Sequence, residues 1–188
     1  MDIQTKMIDD AAIVFAFKNE GRKEEAFTQL VKKYQERLYW HIRRMVVVHE
    51  DADDVLQNVF IKVWRHLDNF KEESGLYTWL YRIATNETMT WLELQKKRMS
   101  ISLSDEESPV VEKLVAQKDF DAHKIEWKLQ QAMQRLPEKQ RIVFNLRYYD
   151  EMPYEQMSEV LGTSVGALKA SYHFAVKKVE NFILNHAL

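Results

Sequence analysis

Between residues 24 and 46, the apolar side chains Phe27, Leu30, Val31, Tyr34, Leu38, Ile42 and Met45 recur at three- and four-residue steps. That spacing gathers them on one face of an α-helix. The same period returns at Ala52, Val55, Val59 and Val63, and again at Val165, Leu168, Tyr172, Ala175, Val179 and Ile183. Only 4 glycines and 3 prolines occur in 188 residues, which leaves little material for tight β-turns. The fold class these features predict is all-α. A composition 46% hydrophobic and 30% charged can bury a core and argues against wholesale disorder.

Helical periodicity predicts further helices at about 77–98, 122–135, 138–149, 153–161 and 165–185, with a second early helix starting near Asp51. Ser74 and Gly75 break the first half of the chain. Pro137 and Pro153 sit where a first helical turn tolerates proline. The stretch SISLSDEESPVVEKL loses the period and gathers serines, acids and Pro109, the composition of a linker. The expected organisation is two small helical domains, residues 1–99 and 121–188, joined by an acidic linker over 100–120.

Several classes of chemistry find no support. Without cysteine there is no disulfide framework and no cysteine-ligated zinc. The six histidines show no paired metal-ligand spacing, and Asp51, Asp53 and Asp54 lack the glycine and terminal glutamate of a calcium loop. No phosphate loop or GxSxG sequence is present. The expectation is a protein that is not an enzyme and needs no cofactor or metal. The start MDIQTKMIDD has neither the basic end nor the apolar run of a signal peptide, and no apolar stretch reaches about 18 residues. A soluble, cytoplasmic protein without membrane insertion is expected.

The net charge of −2 is not that of a protein that coats nucleic acid by itself. Charge is nonetheless segregated, with acids in EDADD at 50–54 and in SDEES at 104–108, cations at 96–98, and three lysines with no acid over 164–178. Separate surfaces for separate partners follow. In GTSVGALKASYHFAVKK, Gly162 suits a left-handed helix end and Thr163 or Ser164 suits the cap of the next helix. Opposite the apolar side of that helix lie Gly166, Ala170, His173, Phe174 and Lys177, with Lys169 on the flank. An ordinary helical hairpin fits the spacing; the acid-free face with small residues at its start favours a helix that enters a DNA groove. Opposite Val55, Val59 and Val63 stand Asp54, Gln57, Ile61 and Trp64, either a solvated face with a tryptophan lying on a neighbour, or a partner-binding hot spot. Tyr77, Trp79, Tyr81 and Trp91 interleave with Arg82 and Asn86. They fit a bulky bundle core or a platform for unstacked bases.

The order FTQLVKKYQERLYWHIRRM, DADDVLQNVFIKVWRHLDNF, YTWLYRIATN, acidic linker, LPEKQRIVFNLRYYDEMPYEQMSEVLGTSVGALKASYHFAVKKVE closely resembles the extracytoplasmic-function (ECF) class of bacterial sigma factors over nearly the whole chain. The resemblance implies a promoter-recognition subunit of RNA polymerase, with sigma region 2 in the first domain and region 4 in the second. In region 2, Asp54, Gln57, Asn58, Ile61 and Trp64 would meet the β′ clamp helices of the core enzyme. Asn58 stands where the family has an acid. Lys71 and Ser74 in the loop 71–76, with Tyr77, Trp79, Arg82, Asn86, Lys96, Lys97 and Arg98, would read and open the −10 element. In region 4, Ser164, Gly166, Ala167, Lys169, Ala170, His173, Phe174 and Lys177 would read the −35 element in the major groove. The linker would enter the polymerase's nucleic-acid channels, its acids mimicking a strand's charge. The β flap of the core, promoter DNA and an anti-sigma factor complete the implied partners. Competing expectations are a stand-alone helix-turn-helix regulator and a sigma-like protein that only sequesters a partner.

Many family members carry arginines where this chain has Ser171, Phe174 and Val176. If Lys169, Lys177 and Lys178 each neutralise one phosphate, the salt slope is only about −2.7, a loss of roughly fortyfold between 50 and 200 mM salt. So little charge suits a subunit delivered to DNA by polymerase better than a free-standing repressor.

Overall fold

The structure, a computed structural model, describes residues 9–19, 21–102 and 124–185. Most of the expected linker lies outside the described residues; its first three positions, 100–102, continue a helix. Every regular element among the described residues is helical.

Helix α1, Asp10–Asn19, buries Ile13, Val14 and Phe17. It was not visible in the periodicity. Asp10 ties it to α2, Lys23–Val46, by accepting hydrogen bonds from the Tyr34 hydroxyl and from Lys33 Nζ at 2.7 Å. Helix α3 spans His49–His66 and runs into a 3₁₀ turn at Leu67–Asn69. Between α2 and α3, Val47 is held at φ 73 although only 1% exposed. A β-branched residue in that region is strained, and burial holds it there. Helix α4, Leu76–Ser102, starts directly after the Ser74–Gly75 break.

The second half comprises α5 at Lys124–Gln134, α6 at Glu138–Phe144, α7 at Tyr154–Leu161 and α8 at Val165–Asn185. Pro137 and Pro153 occupy the N-cap positions of α6 and α7, where a missing N–H costs nothing. Helix α6 widens into a π turn at Asn145–Tyr149, closed where the Asp150 N–H donates to the Asn145 carbonyl at 3.2 Å. That wider turn carries Asn145 inward to full burial.

The two halves do not keep separate cores. One apolar cluster runs from Leu30, Leu38, Ile42, Val59 and Leu80 into Ile142, Leu146, Met152, Met157 and Leu168. Helix α7 packs on α4, and the π turn packs on α2. A smaller cluster under α8 gathers Met133, Leu136, Phe144, Ala175 and Val179. The junction covers the end of α2, so His41 and Arg43 are buried as fully as their apolar neighbours.

Candidate nucleic-acid and partner interfaces

Helix α8 is set by its first turn. Gly162 adopts φ 61 and closes α7 with its N–H on the Ser158 carbonyl at 2.9 Å, as a left-handed helix end requires. Ser164 Oγ then accepts the Ala167 N–H at 3.4 Å, a long capping bond. Leu168, Ala175 and Val179 turn inward, with Tyr172 half-buried beside them. Ser164, Gly166, Ala167, Lys169, Ala170, His173, Phe174 and Lys177 are all exposed. Phe174 is 56% exposed, which removes it from the core and leaves its ring on the outer face, its centroid 5.9 Å from that of His173.

Beside that face, Tyr154 opens α7 with two cations over its ring, Arg147 Cζ at 5.1 Å and Lys169 Nζ at 5.6 Å. Sequence reasoning missed Arg147 and Tyr154. Both come from other elements than α8, so the period of one helix cannot show them.

The stripe on α3 has the expected orientation. Ala52, Val55, Val59 and Val63 are buried, whereas Asp54, Gln57, Asn58 and Ile61 are exposed. Trp64 is only partly covered. One edge packs on Phe17 and Phe27, with centroids at 5.3 and 5.0 Å in edge-to-face geometry, and 37% of the residue stays exposed. The ring thus lies on its neighbours and still keeps an exposed edge.

The face assigned to loop 71–76 and α4 is only partly present. Lys71, Arg82, Asn86, Lys96, Lys97 and Arg98 are exposed, and Ser74 is half-buried. Trp79 departs from the expectation: it is 9% exposed, its ring centroid 5.0 Å from that of Phe70. It supports the loop from beneath and offers no free face to a base in this conformation. Tyr77 is half-buried, and its hydroxyl donates to the Asp150 carbonyl at 3.5 Å. Lys96 pairs with Glu138 across the junction.

The junction carries a polar node. His41 Nδ1 lies 2.7 Å from Asp150 Oδ2, and Nε2 lies 3.1 Å from the Thr85 hydroxyl. The Tyr81 hydroxyl donates to Asp150 Oδ1 at 3.3 Å, and Asn145 Nδ2 donates to the His41 carbonyl at 2.9 Å. Burial, followed by the Asp150 charge, pushes the Tyr81 phenol far above its usual range. Gln134 Nε2 donates to the Arg44 carbonyl at 2.9 Å, and the Arg44 guanidinium lies 4.1 Å from the centroid of Tyr149. The node holds no metal-like donor set: among the described residues, no group of three or more His, Asp or Glu is placed to hold a metal ion. No helix among them is long and apolar enough to cross a membrane.

Comparison with known proteins identifies the frame. The family model Sigma-70 region 2 matches residues 30–98, and Sigma-70, region 4 matches residues 126–179. The chain is 35% identical over 155 residues to the RNA polymerase sigma-H factor of Pseudomonas aeruginosa, covering 78% of this chain and 80% of that one. It is 31% identical over 166 residues to the ECF RNA polymerase sigma-E factor of Escherichia coli, covering 84% and 86%. The chain belongs to the ECF sigma factors.

Two solved structures share the fold of this sigma factor. CnrH in complex with the cytosolic domain of CnrY superposes with a TM-score of 0.69 at 22% identity, covering 95% of this chain and 100% of that one. The sigma factor RpoE in complex with the anti-sigma factor NepR from Bartonella quintana gives 0.68 at 20% identity, covering 86% and 98%. As an ECF sigma factor, the protein is a non-enzymatic initiation factor that binds the RNA polymerase core and directs it to promoters. Region 2 spans most of α2 through α4, and region 4 spans α5 through most of α8. Helix α1 precedes both matches and supplies Phe17 beneath Trp64.

Proposed function

We propose that this sigma factor divides its work among three faces. The stripe Asp54, Gln57, Asn58, Ile61 and Trp64 docks on the β′ clamp helices of the core enzyme. Lys71, Ser74, Tyr77, Arg82 and Asn86, with the basic end of α4, engage the −10 element. The outer face of α8 reads the −35 element, with Lys169 and Lys177 on phosphates and Ala170, His173 and Phe174 against base edges. Region 4 as a unit, residues 121–188, also meets the β flap. The protein works in the cytoplasm, where polymerase and promoter are found, and an anti-sigma factor fits it as it fits the RpoE relative whose complex is solved.

The observation that carries this reading is the outer face of α8: small residues at its start, an exposed histidine and phenylalanine, and no acid from Ser164 to Lys178. Such a face fits a major groove but is too weakly charged to hold DNA alone. An electrophoretic mobility shift with promoter DNA tests it. The chain alone leaves the DNA unshifted at physiological salt, and the chain with core polymerase shifts it. A strong shift by the chain alone would make it a stand-alone regulator instead.

A further inference from the structure

We infer that helix α1 positions both working faces of region 2: Phe17 fixes the exposed edge of Trp64, and Lys18 fixes the loop that carries Lys71 and Ser74. The inference deepens the three-face reading given above and rests on it. The region 2 match begins at residue 30, so α1 lies outside it.

Phe17 and Lys18 are neighbours near the C-terminal end of α1. Successive residues of a helix point about 100° apart, so a single turn addresses two different elements. The other end of the helix is anchored, because Asp10 accepts from Lys33 Nζ and the Tyr34 hydroxyl.

Phe17, 1% exposed, meets the Trp64 ring edge to face at 5.3 Å between centroids. Phe27 meets the same ring at 5.0 Å and lies 6.5 Å from Phe17. Lys23 Nζ sits 5.2 Å from the Phe17 centroid and pairs with Asp68 at 2.6 Å, which ties this cluster to the 3₁₀ turn Leu67–Asn69. Phe17 is too deep to touch a partner itself. What it controls is the pose of a tryptophan that is 37% exposed. A side chain already held in its binding pose loses less rotamer freedom on docking.

Lys18 acts on the loop. Its Nζ donates to the Phe70 carbonyl at 2.5 Å and to Glu72 Oε1 at 3.1 Å, and it lies 5.7 Å from the centroid of the Phe70 ring. The two acceptors flank Lys71, whose side chain is left exposed. Glu72 sits at φ 60, a region uncommon for residues other than glycine. Such a conformation persists where its surroundings hold it, and Lys18 reaches it from outside the loop. With its side chain 22% exposed and its ammonium engaged twice, Lys18 has little charge to offer a DNA strand. Residues 70–75 form no regular element, so a loop released from Lys18 would have to be ordered when DNA binds.

Both arms are tested on the full chain with core polymerase. Lys18→Met keeps the apolar stem and removes the charge. It should leave core affinity unchanged and cut promoter opening, read by permanganate footprinting, by about fivefold. Glu72→Gln gives a test of sign. If charge alone matters, removing an acid beside DNA strengthens DNA engagement; loss of the Lys18 pair should instead lower opening by about twofold. Opening in Lys18→Met equal to that of the unmodified chain, or faster opening in Glu72→Gln, overturns the role of Lys18. If Lys71→Ala also opens normally, the −10 assignment of the loop falls with it. In the second arm, Phe17→Leu should weaken core binding by about fivefold when Trp64 is present, and no further in a Trp64→Ala background. Its drop in melting temperature, a packing effect, should appear in both backgrounds. Phe27→Leu repeats the cycle should Phe17→Leu fail to fold. Equal losses of core affinity in the two backgrounds, or no loss in either, make α1 a packing element only and overturn the role of Phe17. Undiminished affinity in Trp64→Ala itself would instead remove the docking assignment on which the inference rests.

Discussion

His41 Nδ1 stands 2.7 Å from Asp150 Oδ2 across 109 positions of sequence, with side chains 1% and 6% exposed. Few contacts in this protein join residues so distant in the chain and so fully buried. Asp150→Ala leaves the His41 ring and the Tyr81 hydroxyl facing an empty site, at a cost of about 1–3 kcal/mol for each unsatisfied buried group. Asn145→Ala should cost less, because it removes an orphaned Oδ1 together with the bond to the His41 carbonyl. Urea denaturation of both variants compares them. An Asn145→Ala loss equal to or greater than that of Asp150→Ala would contradict this ranking.

Trp64→Ala should weaken binding to core polymerase more than Gln57→Ala, by roughly 2 kcal/mol or more, because aromatic anchors dominate interface energetics. Trp64 also packs on Phe17 and Phe27, so the thermal melt of the variant is measured alongside. A titration of labelled core that shows undiminished affinity for folded Trp64→Ala contradicts the docking face.

Asn86→Ala should reduce promoter melting while closed complexes still form, since base contacts of this kind act only on unpaired strands. Permanganate footprinting of thymines reports melting. Trp79→Ala should behave differently. Its burial against Phe70 makes the substitution a cavity, worth about 3–5 kcal/mol of stability. A melting defect in Trp79→Ala with unchanged stability would return that ring to the DNA-facing set.

On α8, Lys177→Ala should weaken all −35 sequences about equally and flatten the salt slope by about one. His173→Ala and Phe174→Ala should alter the selected −35 consensus, with each base contact worth about 1–3 kcal/mol of discrimination. Because Phe174 is 56% exposed, its removal leaves the melting temperature essentially unchanged. An unaltered consensus for both variants would mean that this face does not read bases.

Alkaline pH offers a separate test of the packing. Burial raises the phenols of Tyr34, Tyr77 and Tyr81, and the Asp10 carboxylate adds to the effect on Tyr34. A group with a raised folded pKa stabilises the fold fully below its unfolded value, near pH 10 for tyrosine, and that contribution is lost as pH rises above it. Stability should therefore be level up to about pH 9. Above about pH 10 it should fall by about 1.4 kcal/mol per pH unit for each tyrosine still protonated. Urea midpoints across that range measure the slope, and Tyr34→Phe should make it shallower.

The sequence showed what a helix buries against its own side of the core, and little of what faces a distant partner. The period of α8 assigned Leu168, Ala175 and Val179 inward and the −35 face outward, because one helix surface decides both. Helix α1 escaped because DAAIVFAFKN is apolar nearly all round, with Phe15 57% exposed beside buried Val14. In YTWLYRIATN, Tyr77, Trp79 and Tyr81 alternate every second residue, a spacing that assigns no side of a helix, so it leaves core and DNA face open and only the family resemblance puts Trp79 on the DNA face. The junction was invisible for a different reason. His41, Asn145 and Asp150 are polar, and nothing in their local spacing says that burial will bring them together.

Run-off transcription from a promoter library, with core polymerase added or omitted, tests the central claim most directly. The account predicts discrete transcripts only when core and this sigma factor are both present, from templates that share a −35 and a −10 element. Transcripts from core with the sigma factor that show no template preference, or none at all while the chain binds core, would contradict it.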